Sequence, residues 1–171
     1  TVRHAAARGA RAMWIEECLA DTIDPGAWAG ISVPVVRSLV DEIHARGMAA
    51  VYYYCGDPND RWGLILGLGA DALSLEESKK GFTIDIDDVA ARVSGRVCLL
   101  GNLDAVGVLE RGSDADLERE VRRQLRAGRR NGGRFIMSTG SPVTPATPPE
   151  RVRRYLELAR SSWGTATSQP R

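Results

Sequence analysis

Four clusters of polar residues recur along the chain about one β/α unit apart: Cys55-Gly56-Asp57, Glu76-Glu77-Ser78, Gly101-Asn102-Leu103-Asp104 and Ser138-Thr139-Gly140-Ser141-Pro142. A thiol can serve as a nucleophile or, as a thiolate, hold a metal such as zinc. Adjacent carboxylates repel, so one of a packed pair holds its proton more tightly and suits proton transfer or the binding of a substrate amine. Each cluster follows a short apolar run that reads as a buried parallel strand: Ala49 to Tyr54, Ala72 to Leu75, Val97 to Leu100 and Arg134 to Met137. Polar side chains at the C-terminal ends of successive parallel strands are where a β/α barrel keeps its active site. An enzyme pocket is the first expectation.

The elements that must position these clusters alternate strand and helix. Ala12 to Ile15 reads as the first strand, ending in Glu16-Glu17, and a polar loop through Asp21, Asp24-Pro25 and Trp28 follows. A helix is expected from Pro34 to Arg46, with proline in its first turn, an apolar stripe of Val36, Leu39, Val40 and Ile43, and Gly47 as its stop. Further helices are expected over Val2 to Arg8, Arg61 to Leu68, Ile86 to Val93 and Asp114 to Arg130. A last one opens at Thr147-Pro148-Pro149-Glu150, a capping box with proline at its first position. Five strands with four short crossovers predict a right-handed parallel sheet. A closed parallel barrel needs eight strands, so the chain is expected to be the C-terminal five β/α units, strands four to eight, of a (β/α)8 barrel of TIM type. Residues 1–163 would form that partial domain and 164–171 a disordered tail. Open edge strands invite association, so oligomerisation is expected of the isolated chain.

Composition bounds the alternatives. The chain has 171 residues and a net charge of +1, so no global field draws it to nucleic acid or a membrane. No apolar run approaches the ~20 residues of a membrane span. Three cysteines without framework spacing argue against a disulfide scaffold, and a reducing cytoplasm is expected. The arginines between Arg119 and Arg130 alternate with Glu118 and Glu120 around an apolar face, which reads as a solvated outer helix. Lys79-Lys80 reads as solvated loop, with an anion site as the alternative. Cys98, Tyr52 and Tyr54 read as core, and His4 and His44 carry no expected function.

Gly101-Asn102-Leu103-Asp104 and the segment through Thr144-Pro145-Ala146-Thr147-Pro148-Pro149-Glu150 resemble the "GN-x-D" turn and the closing segment of the uroporphyrinogen decarboxylase superfamily. That superfamily includes the decarboxylase, corrinoid:coenzyme M methyltransferases and cobalamin-independent methionine synthase. The resemblance runs from Gly9 to Arg160. It implies a β/α barrel with its pocket at the C-terminal strand ends. In the zinc-dependent methyltransferases a His-x-Cys follows the fifth strand, a cysteine follows the eighth, and in one branch a glutamate follows the sixth. Here those positions are Tyr53 and Cys55, then Ser141, then Glu76. The decarboxylase's closing histidine is likewise Ser141.

The resemblance therefore implies Cys55 and Glu76 as ligands of a zinc ion, with Glu17 or Asp57 completing the set. Glu17, Glu76 and Asp104 are the candidate catalytic groups, and Tyr53, Asn102 and Ser141 the candidate substrate contacts. For Asp104 a second reading stands: an aspartate after "GN" can cap the following turn. The expected activity is methyltransferase-like, on a small methylated substrate with a thiol or a corrinoid carried by a partner protein as acceptor. The alternatives are uroporphyrinogen decarboxylase, of porphyrin and heme biosynthesis, and a non-catalytic relative.

Overall fold

In the computed structural model, residues 1–78 and 81–164 are described, so Lys79-Lys80 and the expected tail beyond Gly164 lie outside the described residues. The chain divides into two compact units, Thr1–Leu75 and Glu76–Arg171.

The first unit contains α1 (Val2–Ala7), β1 (Ala12–Cys18), α2 (Pro25–His44), β2 (Ala49–Cys55), α3 (Trp62–Leu66) and β3 (Ala72–Leu75). β1, β2 and β3 pair in parallel, with Ala12 opposite Ala49, Cys18 opposite Cys55 and Tyr54 opposite Leu75. β1 runs on through Glu16 and Glu17, so these acids are strand residues rather than the start of a loop. Alternate residues Ala12, Trp14, Glu16 and Cys18 are exposed, while those between are partly covered. That period of two sorts the acids onto opposite faces.

α2 begins nine residues before the expected start at Pro34. Asp24 caps it, its Oδ1 accepting from Gly26 N (2.9 Å) and Ala27 N (3.0 Å), and Pro25 takes the first turn. Pro34 lies inside the helix. The missing N–H costs a hydrogen bond there, and burial of Trp28, Val33, Val36, Val40 and Ile43 along one face outweighs it. Leu39, expected in that stripe, is exposed.

The second unit contains α4 (Ile86–Val93), β4 (Cys98–Leu100), α5 (Asp114–Arg130), β5 (Phe135–Ile136) and α6 (Pro149–Gly164). β4 and β5 are parallel, Leu99 opposite Phe135, and pairing resumes beyond β5 where Leu103 bridges Thr139. α5 matches its expected bounds because every local signal agrees. Ser113 and Asp116 form a capping box, and Leu117, Val121 and Leu125 lie on one buried face. With Leu103, Leu109, Tyr155 and Leu158 they make this unit's core. The turn after β4 is a π-helical segment, Ala105–Glu110, with Leu109 N donating to Asp104 O (2.9 Å). The fold is thus α/β, with parallel strand pairing in each unit. Among the described residues no helix is long and apolar enough to cross a membrane.

Candidate functional site

In the first unit, β1 and β2 present two chemically different faces. On the face packed against α2, Glu17 accepts hydrogen bonds from the Tyr52 hydroxyl (2.5 Å) and the Trp28 indole N–H (3.2 Å). Burial, then the bond to Glu17, pushes the Tyr52 phenol far above its ordinary value. Tyr54 packs edge-on to Trp28, 5.8 Å between ring centroids, and its phenol is also pushed up by burial. Beside them lies Arg61, 3% exposed. Its guanidinium donates to Ala20 O (2.8 Å), Ile23 O (3.1 Å) and both oxygens of Asp60, and sits 5.7 Å from the Trp28 ring centroid. Asp21 closes the group: its Oδ2 accepts from Asp57 N (3.0 Å). Gly56 is fixed here, because at φ +144° a Cβ would lie 2.6 Å from the Asp21 carboxyl carbon.

The opposite face carries the thiols. Cys55 ends β2 directly opposite Cys18, and residues Tyr53 and Glu16 stand opposite each other two positions earlier. The Tyr53 ring packs against Trp14 at 5.5 Å. Cys18 is exposed and its Sγ donates to Glu16 Oε1 (3.2 Å). That bond, with partial burial and the neighbouring Cys55 sulfur, pushes the Cys18 thiol up to about 11.

The two acids expected to join Cys55 at a metal are therefore committed elsewhere. Glu17 is spent on Tyr52 and Trp28, on the face away from Cys55. Asp57 Oδ1 accepts from Asn59 N (3.0 Å) in its own loop. Register places Glu16 and Cys18, not Glu17, on the face of Cys55. Among the described residues no three His, Cys, Asp or Glu side chains gather into a set that could hold a metal ion.

The second unit gathers the ends of the later strands. Glu76 and Glu77 are both buried, at 2% and 6% exposure, so neither is a solvated loop acid. Asn102 is buried between them and α5. Its Nδ2 donates to Glu76 O (3.1 Å) and Ile84 O (2.9 Å), and its Oδ1 accepts from Gln124 Nε2 (3.0 Å). Gln124 in turn donates to Glu120 Oε1 (2.9 Å) and accepts from Asn102 N (3.3 Å). An amide whose donors and acceptor are all spent on the protein is a latch; this geometry leaves Asn102 little capacity for the substrate role expected of it.

Asp104 takes the capping role, its Oδ1 accepting from Val106 N (2.9 Å) and Gly107 N (2.7 Å). Gly140, next to Ser141, lies so close to the Glu76-Glu77 peptide that a Cβ would fall 2.3 Å from Glu77 N. Glu76, Glu77, Asn102 and Gly140 thus meet in one place, with Ser141 adjoining.

Among the residues of these groups with no expected role from sequence are Arg61, Gln124 and Cys18. Gln124 was findable, since it falls beside Leu117, Val121 and Leu125 on the buried face of α5. Arg61, flanked by Asp60 and Trp62, gives no periodic signal.

The family model for uroporphyrinogen decarboxylase matches residues 1–162. Similar proteins include the methylcobamide:CoM methyltransferase MtbA of Methanosarcina mazei, 25% identical over 76% of this chain and 35% of the relative. A uroporphyrinogen decarboxylase of Azotobacter vinelandii is 30% identical over 87% of this chain and 41% of the relative. A solved methyltransferase from Methanosarcina mazei aligns with a TM-score of 0.77 at 20% identity, over 94% of this chain and 44% of that one. The chain thus spans less than half the length of these relatives, and the structural likeness is one of fold.

Proposed function

The chain belongs to the uroporphyrinogen decarboxylase family, and from that premise we propose that it carries part of an enzyme site of the methyltransferase-like kind. The observation that supports this most is Cys55, a thiol at the C-terminal end of a parallel strand, on the same face as Tyr53, Glu16 and Cys18. A thiol is the group that methyl transfer needs and decarboxylation does not. In this reading the five strands correspond to strands four to eight of an eight-stranded barrel. The substrate is a small methylated compound, and the acceptor a thiol or a corrinoid on a partner protein. In the same reading Tyr53, packed against Trp14, is a substrate contact.

Cys55 and Glu76 would hold the zinc of this reading, with Glu17 and Asp57 engaged elsewhere. Metal analysis of the full-length protein, purified without added metal, tests it. Stoichiometric zinc that is lost in Cys55→Ser and kept in Cys98→Ser supports the reading; absence of metal, or retention in Cys55→Ser, removes the zinc part. Methyl transfer from a methylcobamide to a thiol is then assayed directly.

A second reading, uroporphyrinogen decarboxylase, is favoured by the relatives of that name. Carbon dioxide release from uroporphyrinogen, undiminished in Cys55→Ser, would select it.

A further inference from the structure

Cys18 and Cys55 are direct register partners at the ends of neighbouring parallel strands, so their side chains leave the same face of the sheet. Neighbouring strands lie about 4.8 Å apart, inside the ~4.4–6.8 Å range of Cα separations that a disulfide spans. The pairing holds to this point, since Leu19 N donates to Cys55 O (3.1 Å). Cys18 is exposed and Cys55 partly so. Cys98, the remaining cysteine, lies in β4 of the other unit.

From this juxtaposition we infer that Cys18 and Cys55 form a dithiol site that closes reversibly to a disulfide, with low-molecular-weight disulfides as the oxidant. The Cys55 thiolate attacks one sulfur of the oxidant, forming a mixed disulfide and expelling the other half as a thiolate. Cys18 then attacks the Cys55 sulfur, a second thiol leaves, and the proton of Cys18 passes to that leaving group. Two protein thiols are oxidised, and the small disulfide is reduced to two thiols. Closure consumes the Cys55 thiol, so the site couples that residue's availability to the surrounding redox state. The inference rests on strand register and exposure, and it concerns the metal-free thiols.

The test uses the 171-residue chain, treated with a chelator and incubated with oxidised glutathione. Three thiols titrate in the reduced protein. After oxidation one should remain, the monomer should lose the mass of two hydrogen atoms, and digestion should yield a peptide linking positions 18 and 55. Dithiothreitol should restore all three thiols. Cys98→Ser should close in the same way, whereas Cys18→Ser should hold glutathione on Cys55 as a stable mixed disulfide. Separate glutathione adducts on Cys18 and Cys55 in the native chain would overturn the inference. So would linkage only between two molecules, or crosslinks to Cys98 in equal yield.

Discussion

The two units bury polarity in different currencies. Around Arg61 in the first unit the buried groups are charged, and they hold aromatic rings: Arg61 against Trp28, Glu17 against Trp28 and Tyr52. In the second unit the most deeply buried side chains that tie segments together, Gln124 and Asn131, are neutral amides, although Glu76 and Glu77 are buried there too and Arg151 fastens α6 to the turn before α5. Asn102 and Gln124 join strand end, loop and helix, and Asn131 donates to Val97 O (3.1 Å) and Arg134 O (2.7 Å) while accepting from Gly95 N (2.6 Å). A neutral amide is cheaper to desolvate than a charge, and here each finds partners on the backbone or on a neighbouring side chain. A buried guanidinium is costly to desolvate and holds only while every donor is used. The Arg61 network should therefore be more brittle than the amide network of Asn102 and Gln124.

The largest expected effect follows from that contrast. Arg61→Met leaves Ala20 O and Ile23 O without their donor and removes the cation from Trp28, so at about 1–3 kcal/mol for each stranded carbonyl we expect the larger loss in denaturant unfolding. Arg61→Lys should recover little, because an ammonium cannot reproduce the planar fork. Wild-type stability in Arg61→Lys would dissolve the distinction between the two units.

Asn102→Ala should cost less. It strands buried carbonyls and the Gln124 amide, at about 1–3 kcal/mol for each group left unsatisfied. Relaxation of the Ile84 loop toward water offsets part of that. Hydrogen exchange should speed in the Glu76–Ile84 loop and near Gln124 while β1 and β2 stay protected. If exchange rises instead around Arg61, the two networks are not separate.

The smallest effect is a matter of pH. Burial opposes ionisation of Asp71, yet bonds from Ala50 N and His44 outweigh it and hold the carboxyl below its ordinary range. In the second unit the Ser113 hydroxyl, then Arg119, holds Asp116 at about 2. Both pKa values are depressed in the fold. Their stabilisation is present above the unfolded value of about 4 and is lost as pH falls through the folded one. Asp71→Asn and Asp116→Asn should each flatten the decline of melting temperature with acid below about pH 4, and do so additively. An unchanged acid slope in either variant refutes the assignment for that unit.

The legible parts of the chain were those where neighbouring residues decide the outcome. Ile86 to Val93, Asp114 to Arg130 and Ala72 to Leu75 were read at their observed bounds, because caps and periodicity are local. α2 starts earlier than expected because Pro34 imitates a first turn, whereas the Asp24 cap and the burial of Trp28 show that the helix begins at Pro25. The candidate site was legible as a set of strand ends and not as a set of contacts. Sequence placed Glu17 beside Cys55, yet β1 continues through both acids, and a period of two turns Glu17 toward α2 and leaves Glu16 and Cys18 facing Cys55.

By itself, then, the sequence determined the order of strands and helices, the residues at each strand end and the family, since each depends on composition and spacing along the chain. Tertiary structure alone decided which of those residues are free to do chemistry. It committed Asn102 to Gln124, Glu17 to Tyr52 and Asp104 to its own turn, and it set Cys18 opposite Cys55. The reason is that a buried polar group must find a partner. Which partner it finds depends on register and packing between segments far apart in sequence, and no local pattern records that.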